Sequence, residues 1–469
     1  MKKNTKIVAT ISDRRCDVEF LRELHASGMD VVRLNTAHQE PADALKVIDN
    51  VRKVSDKIAI LVDTKGPEIR TMKTLEEVAV KKGDIIRIKG DPAGVSQGDL
   101  LYVSYPNFVD EVPVGAHILM DDGDLEFVVL RKQDEALVCE VQNSGMLKAR
   151  KSINVPNVHI NLPSLSDKDR RFVEFAIQED VTFIAHSFVR NKEDVIAIQE
   201  ILDQHNSQIK IIAKIENQIG VDNIDEILSY AYGVMVARGD LGIEIAAERI
   251  PGIQRMLVEK CVARKKPVII ATQMLHSMIK NPRPTRAEIS DIANAAYHAT
   301  DAVMLSGETA YGDYPLESVR YMARVVREVE KSKEVKHDIR LISVDNQIGI
   351  FLAESAVEAA RRLPVKGIVL DTLVGRTARY MAAFRSDKNV YAICYNKRVM
   401  RELALSYGIY ADYMPQRNST DDFKSDILNF LLDQKHLKEE DLIVIIGGSF
   451  GPRGGASFLE INTIESLLA

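Results

Sequence analysis

Polar and charged side chains stand at the ends of short apolar runs along this sequence. Arg33 and Asn35 close one run, and Asp63, Thr64, Lys65, Glu68 and Arg70 follow the next. Lys214 and Glu216 end another, Arg238 and Asp240 another, and Thr272, Ser306 and Glu308 close two more. Glu216 and Asp240 are hard carboxylates at the ends of what read as adjacent strands. Such a pair suits Mg²⁺, which takes one or two carboxylates plus waters and substrate oxygens. Lys214 lies two residues before Glu216, so on a strand both side chains project to one side. A lysine beside a divalent ion can stabilise a developing enolate or phosphoryl oxygen. It can equally form a Schiff base. Arg33 and Arg70 add fixed positive charge suited to phosphate. Singly, each of these residues also fits a structural ion pair or cap. Only a convergent ring of them is hard to read as structural.

What must position that ring is a recurring strand–helix rhythm. Apolar, β-branched runs at Lys6–Ile11, Asp30–Asn35, Ile58–Asp63, Phe183–Phe188, Lys210–Glu216, Gly233–Asp240, Pro267–Thr272 and Ala302–Glu308 read as strands buried on both faces. Amphipathic stretches such as Val18–Ala26, Ala42–Val54, Lys192–Gln204, Ile250–Arg264 and Leu316–Lys331 follow most of them. Eight such units point to a closed (β/α)8 barrel, whose active site lies at the C-terminal strand ends. Between Thr71 and Leu162 the rhythm stops. Short alternating runs separated by Lys82-Gly83-Asp84, Asp91-Pro92, Asp121-Asp122-Gly123 and Asn143-Ser144-Gly145 read as a small β domain inserted after the third strand. From about Leu341, strands at Gly367–Asp371, Val390–Cys394 and Leu442–Ile446 alternate with helices at Ile348–Leu363, Thr377–Phe384, Lys397–Tyr407 and Asp422–Gln434. That region reads as an open α/β domain. The expected division is 1–71 with 163–338 for the barrel, 72–162 for the insert and 339–469 for the last domain.

Composition removes several function classes. The 469 residues carry 62 Lys+Arg against 68 Asp+Glu, a net charge of −6, with 46% hydrophobic residues. That balance argues against a nucleic-acid or membrane-surface binder, and no run is apolar enough for a membrane helix. The basic start MKKNTKIVAT lacks the apolar core of a secretory signal, so the cytoplasm is the expected compartment. Cys16, Cys139, Cys261 and Cys394 form no CxxC and read as structural thiols. His38, His186 and His276 have no recognisable partner, and Met274 with Met278 reads as core. Ser166 to Asp169 and Thr285 to Glu288 fit capping boxes. The Gly-rich stretch Gly447–Gly455 fits an anion cradle of backbone N–H groups or a plain hairpin loop.

Several segments resemble one family, the pyruvate kinases. They are Arg33-Leu34-Asn35, Leu61 to Thr71 (LVDTKGPEIRT), Lys214 to Asn217 (KIEN), Met235 to Gly242 (MVARGDLG), Ala271 to Leu275 (ATQML), Asn281 to Glu288 (NPRPTRAE) and Asp301 to Glu308 (DAVMLSGE). They occur in family order and cover the barrel. The resemblance implies a catalytic barrel, an inserted β-barrel lid, and a C-terminal domain carrying oligomer contacts and an effector site. It implies transfer of phosphate from phosphoenolpyruvate to ADP, giving pyruvate and ATP, with Mg²⁺ (or Mn²⁺) and K⁺ as cofactors. By the same resemblance, Lys214 neutralises charge on the phosphoryl group and enolate, and Arg33 contacts phosphate. Glu216 and Asp240 hold Mg²⁺. The amides near Gly239 and Asp240, with the Thr272 hydroxyl, hold the substrate carboxylate. Thr272 and Ser306 help protonate the enolate through water. Asn35, Asp63 and the Thr64 carbonyl bind K⁺. Arg70, Lys151, Asn35 and His38 face the nucleotide. Thr372, Gly375, Arg376, Thr377, Arg453 and Gly454 form the corresponding sugar-phosphate or nucleotide effector site, and a homotetramer is implied.

Four positions depart from the family pattern. Ser12-Asp13 stand where Gly-Pro is usual, and Ala37 replaces a serine of the K⁺ shell. Ser152 replaces the lid glycine after Lys151, and Val374 replaces a serine in the effector loop. Glu68 resembles the K⁺-dependent members. Two alternatives stand beside this reading: a Mg²⁺-dependent lyase or aldolase using Lys214 on the same barrel, and a non-catalytic regulatory homologue. The second predicts losses among Lys214, Glu216, Asp240 and Thr272, and all four are present.

Overall fold

The computed structural model describes residues 2–332, 341–342, 346–416, 420–448 and 455–469, with the side chains of 420–423 excepted. Eight parallel strands close a barrel: β1 (Lys6–Thr10), β2 (Val31–Asn35), β3 (Ala59–Asp63), β4 (Phe183–His186), β5 (Lys210–Ile215), β6 (Gly233–Ala237), β7 (Val268–Ala271) and β8 (Ala302–Leu305). Because successive side chains on a strand point to opposite faces, alternate residues divide between two cores. Val8, Val31, Ala59, Leu61, Phe183, Ala185, Ile212, Met235, Ile269 and Met304 fill the barrel interior. Ile7, Val32, Ile60, Ile184, Ile211, Val234, Ile270 and Val303 pack outward against the helices. Burial on both faces explains why these strands read as unbroken apolar runs.

Three strands end two or three residues sooner than their apolar runs suggest. β6 stops at Ala237, and Arg238–Glu244 is already helix, so Asp240 lies in a first helical turn rather than on the strand. β8 stops at Leu305 ahead of the helix Gly307–Ala310. β4 stops at His186, where Phe188 turns to φ 56°. Alternation of residue types cannot register a turn made by backbone torsion. The capping boxes form as expected: Ser166 with Asp169, and Thr285 with Glu288. Met274 and Met278 are fully buried, and the four cysteines are buried and unpaired.

The insert between β3 and β4 is a seven-stranded sheet whose edges meet. The edge strands Ile69–Arg70 and Leu100–Val103 are joined by a bridge between Thr71 and Val103, and Met72 N–H donates to Tyr102 O at 2.9 Å. The sheet therefore rolls into a small barrel around Ile86, Ile88, Leu101, Phe108, Phe127 and Val141. The strands entering and leaving it, Ile69–Arg70 and Ser152–Asn154, pair antiparallel.

The C-terminal region is a five-stranded sheet of β9 (Gly367–Thr372), β10 (Asn389–Cys394), β11 (Ile409–Tyr413), β12 (Leu442–Gly448) and β13 (Ala456–Thr463), in the order β11-β10-β9-β12-β13. All pairs are parallel except β12–β13. β11 and β13 are additions to the sequence reading. β13 carries Ser457, Glu460 and Asn462 among its apolar residues, so as an edge strand it lacks the continuous run of a central one. The helix expected at Lys397–Tyr407 is α-helical to Glu402 and then a 3₁₀ turn, Leu403–Leu405.

Several contacts bind this region to the barrel, among them a buried ion pair and a strap at the start of β1. Asp301, just before β8, receives both guanidinium arms of Arg385 (Nη1–Oδ1 3.0 Å, Nη2–Oδ2 2.8 Å) and the N–H groups of Val268 and Tyr407. This pair is almost wholly buried. The segment leading into β1 is strapped to distant chain. Asn4 and Thr5 N–H donate to Glu330 at 2.7 Å each, Gly408 N–H donates to Asn4 O, and Lys6 Nζ donates to Ile409 O at 2.5 Å.

Candidate active site

The inward parity of the barrel strands continues past the last apolar layer and changes chemistry there. Val8 gives way to Thr10, Val31 to Arg33, Leu61 to Asp63, Ala185 to Ser187 and Ile212 to Lys214. The result is a polar layer capping an apolar one at the C-terminal ends of β1 to β5. Arg33 Nε lies 2.6 Å from Asp63 Oδ2, and its Nη1 donates to Thr10 Oγ1 at 2.9 Å. Lys214 Nζ lies 3.1 Å from Asp63 Oδ1 and 2.9 Å from Glu216 Oε1, and donates to Ser187 Oγ at 2.6 Å. The structure thus brings Arg33, Asp63, Lys214 and Glu216 into one buried network.

Charge in that network is uneven. Burial works against the Lys214 ammonium, but Asp63 and Glu216 outweigh it and hold its pKa above the ordinary lysine value. Burial would likewise raise Asp63, but Arg33 and Lys214 hold it below the usual carboxylate range. Glu216 and Asp240 go the other way. Burial pushes both up, and Lys214 opposes it in each. With Lys214 at 2.9 Å and the Phe188 N–H donating to Oε2 at 2.6 Å, Glu216 is best described as an ionised carboxylate whose charge is not fully compensated. A divalent cation between Glu216 and Asp240 would supply the missing charge, so this donor set fits one. Among the described residues no cluster of three or more His, Cys, Asp or Glu forms a self-contained metal cage. Mg²⁺ sites completed by substrate oxygens do not need one.

Asn35 and Asp63 are register partners across β2 and β3. The Thr64 carbonyl, next along, accepts from Ser187 Oγ at 2.6 Å, and the Thr36 hydroxyl beside Asn35 is buried with no partner among the described residues. This group of oxygens, with a carboxylate in it, fits a monovalent cation.

Thr272 sits at a strained corner. Its φ is 67° and that of Gln273 is 57°, costly for a β-branched residue. The Thr272 hydroxyl accepts the Gly239 N–H at 2.7 Å and donates to Ala271 O. Arg238 ties the corner down, donating to Thr272 O at 2.7 Å and pairing with Asp291. Ser306 is elsewhere. It lines a cavity of about 460 Å³ with Thr10, Arg33, Asn35, His38 and Tyr311. Ser12, Asp13 and Arg14 edge the same cavity.

A second cavity, of about 310 Å³, lies between the insert and the barrel mouth, where Glu68, Arg70, Asp121, Asp122, Lys151 and Asp240 face one another. Lys151 Nζ holds Asp121 at 2.8 Å, and Arg70 Nε donates to Glu68 at 2.7 Å. Arg70 and Lys151 are therefore together, while Asn35 and His38 share the other cavity. In the C-terminal sheet, Gly375 N–H donates to the Thr372 hydroxyl at 2.9 Å, and Gly375 has the left-handed φ of 75° before the helix Arg376–Ala383, which includes Thr377. Arg453 and Gly454 lie outside the described residues. The strands on either side of them pair antiparallel.

Ser187, at the end of β4, is a member of this polar layer that carries no charge to mark it in the sequence. The signal was present in the alternation Phe183, Ala185, Ser187. His186, with the opposite parity, turns outward. It is 1% exposed, and both ring nitrogens lack hydrogen-bond partners among the described residues. Burial drives its pKa down to about 4 despite Asp194 and Asp169. The unfolded chain takes up this proton near pH 6.5, while the fold refuses it until about pH 4. Stability is therefore lost as pH falls through that window, by about 2–3 kcal/mol at pH 4.5. Urea unfolding at pH 7 and 4.5 should show this loss in the wild type, and a smaller one in His186→Ala. Equal pH dependence in the two proteins would refute the assignment.

Comparison with known proteins agrees with this architecture. A family profile described as pyruvate kinase, barrel domain, matches residues 2–319, and one described as pyruvate kinase, alpha/beta domain, matches residues 351–462. A pyruvate kinase of Borreliella burgdorferi is 46% identical over 100% of this chain and 99% of its own length. One from Geobacillus stearothermophilus is 43% identical over 100% of this chain and 82% of its own. The crystal structure of a pyruvate kinase from Cryptosporidium parvum superposes with a TM-score of 0.93 at 34% identity, covering 98% of this chain and 96% of that one.

Proposed function

The chain belongs to the pyruvate kinase family, and on that premise we propose which of its residues carry the chemistry. The reaction moves the phosphoryl group of phosphoenolpyruvate to ADP, giving pyruvate and ATP, the last step of glycolysis. Phosphoryl transfer asks for positioning and charge neutralisation rather than covalent work. Lys214 meets that demand: its ammonium faces the phosphoryl group and the enolate oxygen, where negative charge develops. The observation that carries this is its place at the mouth of the barrel, 2.9 Å from Glu216 and 3.1 Å from Asp63. Arg33, fixed by Asp63 and Thr10, contacts phosphate. Thr272 and the Gly239 and Asp240 amides receive the carboxylate, and Thr272 with Ser306 serves protonation of the enolate through water. Arg70, Lys151, Asn35 and His38 receive the nucleotide.

Glu216 and Asp240 would hold Mg²⁺, and Asn35, Asp63 and the Thr64 carbonyl would hold K⁺. The divalent ion supplies charge neutralisation to the phosphoryl oxygens when bound. The same proposal divides the chain into a barrel domain (1–71 and 163–338), a lid (72–162) and a C-terminal domain (339–469). It takes Thr372, Gly375, Arg376 and Thr377 as an anion-binding effector loop. It also includes a homotetramer, for which the exposed Ile348 and Phe351 of the helix Gln347–Arg362 offer apolar surface. Among the described residues no helix is long and apolar enough to cross a membrane, which fits a cytoplasmic setting.

The aldolase reading loses its footing in the lysine. A Schiff-base lysine needs a neutral amine, whereas two carboxylates hold Lys214 as an ammonium. Incubation with phosphoenolpyruvate, ADP and Mg²⁺ should release pyruvate, with K⁺ giving faster turnover than Na⁺. Equal rates in the two salts would remove the K⁺ assignment, and no turnover in either would remove the whole set of roles.

A further inference from the structure

We propose that Ser187 is the positioning residue for Lys214, tying its ammonium to the backbone carbonyl of Thr64. The inference rests on the role given to Lys214 above.

An ammonium has three protons to place. Those of Lys214 face Asp63 Oδ1, Glu216 Oε1 and Ser187 Oγ. Asp63 and Glu216 are carboxylates that also belong to candidate cation sites, so their hold on Lys214 weakens whenever a cation draws on them. Ser187 is neutral, and its hold persists. Its hydroxyl has one proton, and Lys214 can only donate to it. The proton goes to the nearer of two acceptors, the Thr64 carbonyl at 2.6 Å rather than Asp63 Oδ1 at 3.4 Å, and a lone pair is left aimed at Lys214.

The hydroxyl itself is held rigidly. Ser187 N–H donates to Thr64 Oγ1 at 3.0 Å, and Thr64 N–H donates to Ala185 O at 3.0 Å. The next residue, Phe188, has the left-handed φ of 56° and donates its N–H to Glu216 Oε2 at 2.6 Å. Across from it, a Cβ on Gly66 would fall 2.8 Å from Ser187 Cβ and 2.7 Å from the Phe188 ring, so the two loops are in close contact. Ser187 is 1% exposed. One corner of backbone thus orients a partner of Lys214 and a partner of Glu216 together, and Thr64 links that corner to the candidate monovalent-cation site.

The test uses Ser187→Ala and Ser187→Cys. Cysteine fills the same space but is a poor acceptor. Both variants should lose kcat by roughly 10- to 100-fold, the usual range for a hydrogen bond to a charged group, while the KM for phosphoenolpyruvate stays within about threefold. A space-filling role predicts wild-type kcat for the cysteine variant, and that result would overturn the proposal. A crystal structure of Ser187→Cys with Mg²⁺ and K⁺ bound gives a second readout, because the two carboxylates hold Lys214 least when cations draw on them. The Lys214 ammonium should leave its present contacts, and finding it unmoved would also overturn the proposal. A wild-type enzyme that fails to turn over phosphoenolpyruvate with ADP would instead strike at the role of Lys214 itself.

Discussion

Lys214→Met is expected to lower kcat for phosphoryl transfer by at least about a thousandfold, with the KM for phosphoenolpyruvate changed only a few-fold. Methionine keeps most of the volume of lysine and removes the charge. A buried cation aimed at developing negative charge is worth several kcal/mol in the transition state, and each 1.4 kcal/mol is a factor of ten. The loss should fall on kcat because the charge that Lys214 meets is greatest partway through the reaction. The substitution also leaves Asp63 and Glu216 without their shared cation, so a melting curve must accompany the kinetics. Steady-state rates within tenfold of wild type, from folded protein, would show that Lys214 is not the neutralising group.

Asp301→Ala should be the most damaging change away from the active site. It strips the Arg385 guanidinium of both carboxylate contacts in a region only 2–4% exposed. Breaking a buried pair from one side costs about 3–5 kcal/mol, since the remaining charge stays buried. The Val268 and Tyr407 N–H groups lose their acceptor as well. Urea unfolding should register the loss. Removing both charges at once, as Asp301→Leu with Arg385→Met, should recover the part due to the stranded guanidinium, because the pair contributes little net stability against an apolar filling, while the two N–H groups stay without their acceptor. A single variant within 1 kcal/mol of wild type would mean that the carboxylate is dispensable.

The barrel was legible because its strands are buried twice over. Runs such as Ile58–Asp63 and Lys210–Glu216 have no polar face to disguise them, and the polar residues that end them mark the catalytic side. The pairing of Lys214 with Glu216 followed from two-residue spacing alone. What spacing could not register was set by torsion or by distant chain. Asp240 reads as a strand residue because nothing in Val-Ala-Arg-Gly-Asp announces the turn into helix at Arg238. The Thr272 corner depends on two left-handed residues that carry no glycine signature. The Asp301–Arg385 pair joins residues 84 positions apart, a pairing that local pattern cannot reach. Ser187 is different: its parity was readable, and serine at a strand end simply draws less notice than a charge.

The strap at the start of β1 bears on how the chain is made. Lys6 leaves the ribosome 403 residues before Ile409, whose carbonyl takes its side chain, and nearly 300 residues before β8, its strand partner. At about 5–20 residues per second, that interval lasts roughly 20–80 s. Until β8 emerges, the first strand has β2 on one edge and an open edge on the other. The buried lysine also waits for its acceptor. Folding of the barrel is therefore not vectorial: its first piece is sealed only after every other barrel strand, and the first strands of the C-terminal sheet, have emerged. Protection of unfinished chains over that interval is a demand written into the topology itself.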